Sequence, residues 1–194
     1  MALSRLYFIT GETDPLWQIG EACRAGIRLI QLRMKEATDG EFLATAREAM
    51  EICRSWGSRL IINDRVEVAA AVDADGVHVG LQDLPVREAR RILGVGKIVG
   101  GTANTVEDIR EHYRGGADYI GLGPYRYTTT KKKLSPILGL EGYRRVMRQL
   151  EAEGVSVPVF AIGGIGVDDI GGLVEAGVYG VAFSGLLVNA IKTV

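Results

Sequence analysis

Charge of one sign is what this chain most clearly lacks: 23 lysines and arginines stand against 24 aspartates and glutamates, a formal net charge of −1. Proteins that bind nucleic acid or a membrane surface ordinarily carry a large basic excess. No nucleic-acid or membrane partner is therefore expected, and any handling of anions has to be local. Cysteine is scarce too. Cys23 and Cys53 are the only two; both fall in stretches of helical period and match no metal-site spacing, so they read as small buried hydrophobes. No segment approaches the roughly 18 consecutive apolar residues that would span a bilayer. The first apolar run, "RLYFIT", starts at Arg5 and leaves no room for a signal peptide, so a cytoplasmic protein is expected. Histidine is limited to two positions. His78 lies between valines and reads as a hydrogen-bonded core residue, His112 as a helix-surface residue. No nucleophile–base pair of the hydrolase kind is visible.

What is present is alternation. At 194 residues and 47% hydrophobic composition, the chain suits a single domain, residues 1–194, with a substantial core. Short apolar runs ("LYFIT", "LIQLRM", "RLIIND", "GVHVG", "KIVGG", "YIGLGP", "PVFAIGG", "GVAFSG") are separated by segments of helical period, and "LLVNAIKTV" reads as a closing helix. Asp14-Pro15 and Thr38-Asp39 are helix-start signals, and Gly26, Gly57 and Gly94 are helix-end signals. Strands alternating with helices imply parallel pairing through right-handed crossovers. Eight such units predict an α/β fold of the (β/α)8 TIM-barrel type, with a doubly wound open sheet as the alternative.

Residue parity favours the barrel. In "LIQLRMK", Ile30, Leu32 and Met34 share one face and Gln31, Arg33 and Lys35 the other. A parallel sheet covered on both faces would be apolar on both. In a barrel the polar set points inward, at the strand end where barrel enzymes keep their sites. The same logic sets Ile120 and Leu122 against Gly121 and Gly123 in the sixth strand. In the seventh it sets Phe160 and Ile162 against Ala161 and Gly163, predicting small inward residues and a hole near the mouth.

Gln31, Arg33 and Lys35 place an amide and two cations at spacing two, which reads either as a solvated strand end or as an anion cradle. Asp64 and Asp83 follow the third and fourth strands. Each alone could cap a helix, but as a pair of hard carboxylates beside the cations they suit Mg²⁺. Thr102 in "VGGTANT" offers a hydroxyl at the fifth strand end, where Asn104 and Thr105 are the better helix caps. "AIGGIG" and Ser184, at the ends of strands seven and eight, match the general barrel phosphate site. Between these two anion sites lies "YTTTKKK". Its threonines and lysines sit in a connection, 125–138, long enough to be a functional loop. Small-molecule phosphorylated substrates are the expected partners, and a homo-oligomer is left open.

The series "QLRMK", "IINDR", "ADGVHVGLQDL", "GGTANT", "GADYIGLGP", "TTTK" and "VFAIGGI" runs in order over nearly the whole chain and resembles the thiamine-phosphate synthase (thiamine-phosphate pyrophosphorylase) family of small TIM barrels. The resemblance implies condensation of a hydroxymethylpyrimidine diphosphate with a thiazole phosphate, Mg²⁺ assisting pyrophosphate departure. It implies that Gln31, Arg33, Lys35, Asn63, Thr102 and Lys131 hold the pyrimidine diphosphate, with Arg33, Lys35 and Lys131 acting on the leaving group. Asp64 and Asp83 would ligate Mg²⁺. Thr128, Thr130, Gly163, Phe183 and Ser184 would hold the thiazole phosphate. Met34 replaces a glutamate common in the family, and Thr102 a serine. The rival readings are a thiazole tautomerase of the same barrel family, a non-catalytic phosphate-binding regulatory barrel, and a sugar-phosphate barrel enzyme.

Overall fold

A computed structural model describes residues 3–127 and 136–184. Eight parallel strands close into a barrel in sequence order. They are β1 (Leu6–Ile9), β2 (Leu29–Leu32), β3 (Arg59–Asn63), β4 (Gly76–Val79), β5 (Ile98–Ala103), β6 (Tyr119–Leu122), β7 (Val159–Ala161) and β8 (Gly180–Phe183). β1 closes onto β8 through Leu6↔Val181 and Phe8↔Phe183. The intervening helices are α1 (Pro15–Arg24), α2 (Asp39–Ser55), α3 (Val66–Ala71), α4 (Val86–Leu93), α5 (Val106–Arg114), α6 (Gly139–Ala152) and α7 (Ile170–Glu175). A 3-10 turn at Val167–Asp169 precedes α7. The predicted closing helix, "LLVNAIKTV", lies outside the described residues. No helix among the described residues is long and apolar enough to cross a membrane.

The helix signals act as the sequence suggests. Asp14 accepts the Trp17 N–H, and Thr38 forms a reciprocal capping box with Glu41. Past the ends of α1, α2 and α4, Gly26, Gly57 and Gly94 take the positive φ that a side chain resists. Cys23 and Cys53 are buried, unbridged, and belong to the layer between sheet and helices.

Two apolar layers separate strands from helices. One includes Ile30 and Leu32, with Met34 packed against it; the other includes Ile120, Leu122 and Ala161. A third cluster, Tyr7, Leu29, Ile61, Tyr119, Phe160 and Ala182, fills the barrel interior. This confirms the predicted parity of β2 and β6 and reverses that of β7. Parallel register pairs Gly121 with Phe160 and Leu122 with Ala161. Phe160 therefore shares the inner face with Gly121, and Ala161 faces the helices. Small size is a poor guide to the inner face here, because an outward alanine accommodates helix packing equally well. The predicted hole is correspondingly occupied: a Cβ at Gly121 would stand 3.1 Å from the His78 ring and 3.6 Å from Ile162, and one at Gly100 would overlap the Tyr119 ring. These glycines make room for aromatic neighbours.

Candidate active site

Register carries Gln31, Asn63, His78 and Thr102 to the inner face near the carboxyl ends of β2 to β5. All four are buried. Arg33 and Lys35 continue beyond β2, and residues just past β1 hold them. Thr10 Oγ1 accepts the Arg33 N–H at 2.9 Å. The Glu12 carboxylate accepts the Lys35 N–H at 3.1 and 3.0 Å and Arg33 Nη1 at 3.2 Å. Arg65 braces the same loop, donating to Met34 O at 3.0 Å, Ala37 O at 2.6 Å and Asp39 at 3.0 Å, with its guanidinium 4.3 Å above the Phe42 ring. The polar end of β2 is thus held in place by Thr10, Glu12 and Arg65.

Beside it stand the two aspartates. Asp64 adopts a left-handed φ of 61°, and its N–H extends the ladder by donating to His78 O at 2.8 Å. Asp83 Oδ2 accepts the Gly80 N–H at 2.7 Å, and a Cβ at Gly80 would come within 2.6 Å of that oxygen. Burial pushes the Asp64 carboxyl up to about 6; its hydrogen bond with Asp83 and the charge of Asp83 add to this, while Lys35 and Asn63 oppose it. Lys35 Nζ lies 3.5 Å from Asp64 Oδ2.

Two hard carboxylates pressed together are relieved by a divalent cation. Mg²⁺ usually takes one or two carboxylates and fills its shell with water and substrate phosphate. Among the described residues no group of three or more His, Cys, Asp or Glu forms a ready-made metal cage. The pair therefore fits an ion that substrate oxygens complete.

Thr102 Oγ1 is 2.9 Å from His78 Nε2, and His78 Nδ1 is 3.0 Å from the Tyr119 hydroxyl. Tyr119 and Tyr7 hydroxyls are 2.7 Å apart, and Gln31 Nε2 donates to Tyr7 Oη at 2.6 Å. His78 is therefore the expected hydrogen-bonded core residue. His112 corrects its expectation: it is buried, and its Nε2 lies 2.8 Å from Thr102 O. Gly101 permits this, since a Cβ there would stand 2.7 Å from the imidazole. Thr105 and Asp108 cap α5, leaving the Thr102 side chain out of that duty.

On the opposite side, Gly163 and Gly164 have φ of 88° and 72° and lie against Pro124 and Arg126. Asp169 joins this loop to the start of the β6–α6 connection: it accepts the Gly166 N–H at 2.7 Å, the Tyr125 hydroxyl at 3.1 Å and both Arg126 terminal nitrogens. The Phe183 ring packs beside Phe8, with centroids 6.1 Å apart, and against the layers between strands and helices, so its side chain belongs to the core. Ser184 is exposed at the end of β8. Thr128, Thr130 and Lys131 lie outside the described residues.

Sequence reading missed Glu12, Arg65, Asp169, Tyr7 and Tyr119. Glu12 carried one usable signal, a carboxylate just beyond a strand end. The side-chain partners of the others come from different elements of the chain, beyond any local pattern.

Comparison with known proteins agrees with this geometry. The family model for thiamine monophosphate synthase matches residues 6–187. A thiamine-phosphate synthase of Bacteroides fragilis is 47% identical over 188 residues, covering 95% of this chain and 92% of its own. One from Desulfitobacterium hafniense is 41% identical over 182 residues, covering 91% and 86%. Among solved structures, the thiamine phosphate pyrophosphorylase of Pyrococcus furiosus superposes with a TM-score of 0.81 at 34% identity, covering 93% of this chain and 85% of that one. A dihydrodipicolinate synthase from Oceanobacillus iheyensis, at 13% identity and a TM-score of 0.65, shares the barrel alone. With sequence matches running nearly end to end and the barrel superposing on a solved member, the chain belongs to the thiamine monophosphate synthase family.

Proposed function

We propose that this chain condenses 4-amino-2-methyl-5-(diphosphooxymethyl)pyrimidine with 4-methyl-5-(2-phosphooxyethyl)thiazole, giving thiamine phosphate and pyrophosphate in a Mg²⁺-dependent, dissociative reaction. The observation that carries the reading is the Asp64–Asp83 pair placed beside Lys35 and the Glu12-braced Arg33 at one side of the barrel mouth. Bound between Asp64 and Asp83, Mg²⁺ would supply charge neutralisation at the departing diphosphate. Arg33 and Lys35 provide further positive charge to the same oxygens, with Lys131 as a third contributor from the β6–α6 connection. Gln31, Asn63 and Thr102 orient the pyrimidine over the closed barrel core. Gly163, the Phe183 backbone, Ser184, Thr128 and Thr130 form the thiazole phosphate side, which presents the ring nitrogen to the cationic pyrimidine methylene. Such a reaction needs preorganised charge and water exclusion more than a general base.

The test is incubation of both substrates with and without MgCl2, followed by chromatography for thiamine phosphate and assay of pyrophosphate. Both products are expected, with formation abolished by chelation. Thiazole isomerisation without coupling would replace this reading with the tautomerase one, and product formation unaffected by chelation would remove the metal role.

A further inference from the structure

A continuous hydrogen-bonded chain crosses the barrel interior: Gln31–Tyr7–Tyr119–His78–Thr102. Its two ends are residues assigned above to the pyrimidine, whereas its three middle members contact no proposed ligand. The chain is supported throughout. Tyr7 and Tyr119 meet edge to face with ring centroids 5.5 Å apart, and the His78 ring stacks on Tyr119 at 5.5 Å. Gly100 and Gly121 leave the space these rings occupy. Burial holds both phenols well above their ordinary pKa, so each keeps its proton.

The chain has a direction. Gln31 Nε2 can only donate, so Tyr7 Oη accepts there and points its single proton at Tyr119. With a neutral imidazole and each phenol proton donated within the chain, Tyr119 donates to His78 Nδ1, which accepts. His78 is left with its proton on Nε2, which donates to Thr102 Oγ1. The threonine proton is released to donate elsewhere, and at the far end Gln31 Oε1 remains an acceptor. The order of donors and acceptors inside the barrel thereby fixes the polarity at both ends.

We propose that Tyr7, Tyr119 and His78 are positioning residues that lock Gln31 as an acceptor and Thr102 as a donor, making the site selective for a 4-aminopyrimidine edge over its 4-oxo counterpart. An aminopyrimidine presents an N–H donor beside a ring-nitrogen acceptor. The oxo form presents a carbonyl acceptor beside a ring N–H donor, the reverse order, and meets two mismatched partners. This inference rests on the synthase reading above.

Titration calorimetry tests it with two probes, the 4-amino and 4-oxo forms of 2-methyl-5-(phosphooxymethyl)pyrimidine. Both lack a diphosphate leaving group, so binding is read without turnover. Wild-type protein should prefer the amino form by about 10- to 100-fold. In Tyr7→Phe and Tyr119→Phe the preference should fall to within about threefold, while KM for the thiazole phosphate stays near wild type. An unchanged thiazole KM also establishes that each variant is folded. A purely structural role would weaken both probes by the same factor and leave their ratio intact. An intact ratio in both variants, or no preference in the wild type, overturns the relay while thiamine phosphate formation still upholds the synthase reading. Failure of the wild-type protein to form thiamine phosphate overturns the synthase reading, and the relay with it.

Discussion

Replacing Asp64 by asparagine should make the metal-free protein more stable and the enzyme useless. The carboxyl of Asp64 is pushed from 3.8 to about 6, chiefly by burial and then by Asp83. At 1.36 kcal/mol per pKa unit, keeping it ionised at neutral pH costs at most ~3 kcal/mol. Its side chain retains 26% exposure, and solvent screening brings that figure to about 1–2 kcal/mol. Asparagine keeps the shape and removes the charge. For a chain of this length the gain corresponds to a Tm rise of about 2–8 °C at pH 8 without metal. The sign follows from proton linkage. Between about pH 4 and 6 the folded wild type binds more protons than the unfolded chain, so its stability falls as pH rises through that window. The advantage of Asp64→Asn is therefore complete above about pH 6 and absent below about pH 4. MgCl2 should raise the wild-type Tm by ligand linkage and leave the variant unmoved. Thermal unfolding followed by circular dichroism at pH 4, 6 and 8, with and without MgCl2, reads all of this. A variant no more stable than wild type at pH 8, or an advantage that grows on acidification, would show that burial and Asp83 do not raise the Asp64 carboxyl.

Glu12→Gln keeps the shape but removes the charge that holds Arg33 and the Lys35 N–H, and steady-state kinetics should show KM for the pyrimidine diphosphate rising roughly 5- to 50-fold with the thiazole KM little changed. Asp169→Asn loosens the tie among Gly166, Tyr125 and Arg126, and the same assay should show the reverse split, a higher thiazole phosphate KM. Gly100→Ala drives a methyl into the Tyr119 ring; overpacking of this kind costs about 1–3 kcal/mol, read as a lower urea midpoint.

The barrel and the cation–carboxylate side of the mouth were legible because their signals are local. Alternating strand and helix segments define eight units, and a strand's period of two is enough to separate Ile30 and Leu32 from Gln31. Phe160 shows where that stops: alternation divides a strand into two sets without saying which faces inward, and the choice for β7 is made by its register with Gly121. His112 looked like surface because a helix of charged residues surrounds it, yet a glycine on β5 opens a slot for its ring. The Tyr7–Tyr119 contact joins residues 112 apart in sequence, so nothing in "LYFIT" announces it.

The seam between β1 and β8 has a consequence for synthesis of the protein. Leu6, Tyr7 and Phe8 are made well before their β8 partners, Val181, Ala182 and Phe183. At about 5–20 residues per second, on the order of ten to forty seconds of translation separate the two sides. Throughout that interval the nascent chain exposes one unpaired edge of β1 and cannot complete the interior around Tyr7. Closure waits for β8, and until it occurs the growing polypeptide presents a sticky edge of the kind chaperones shield.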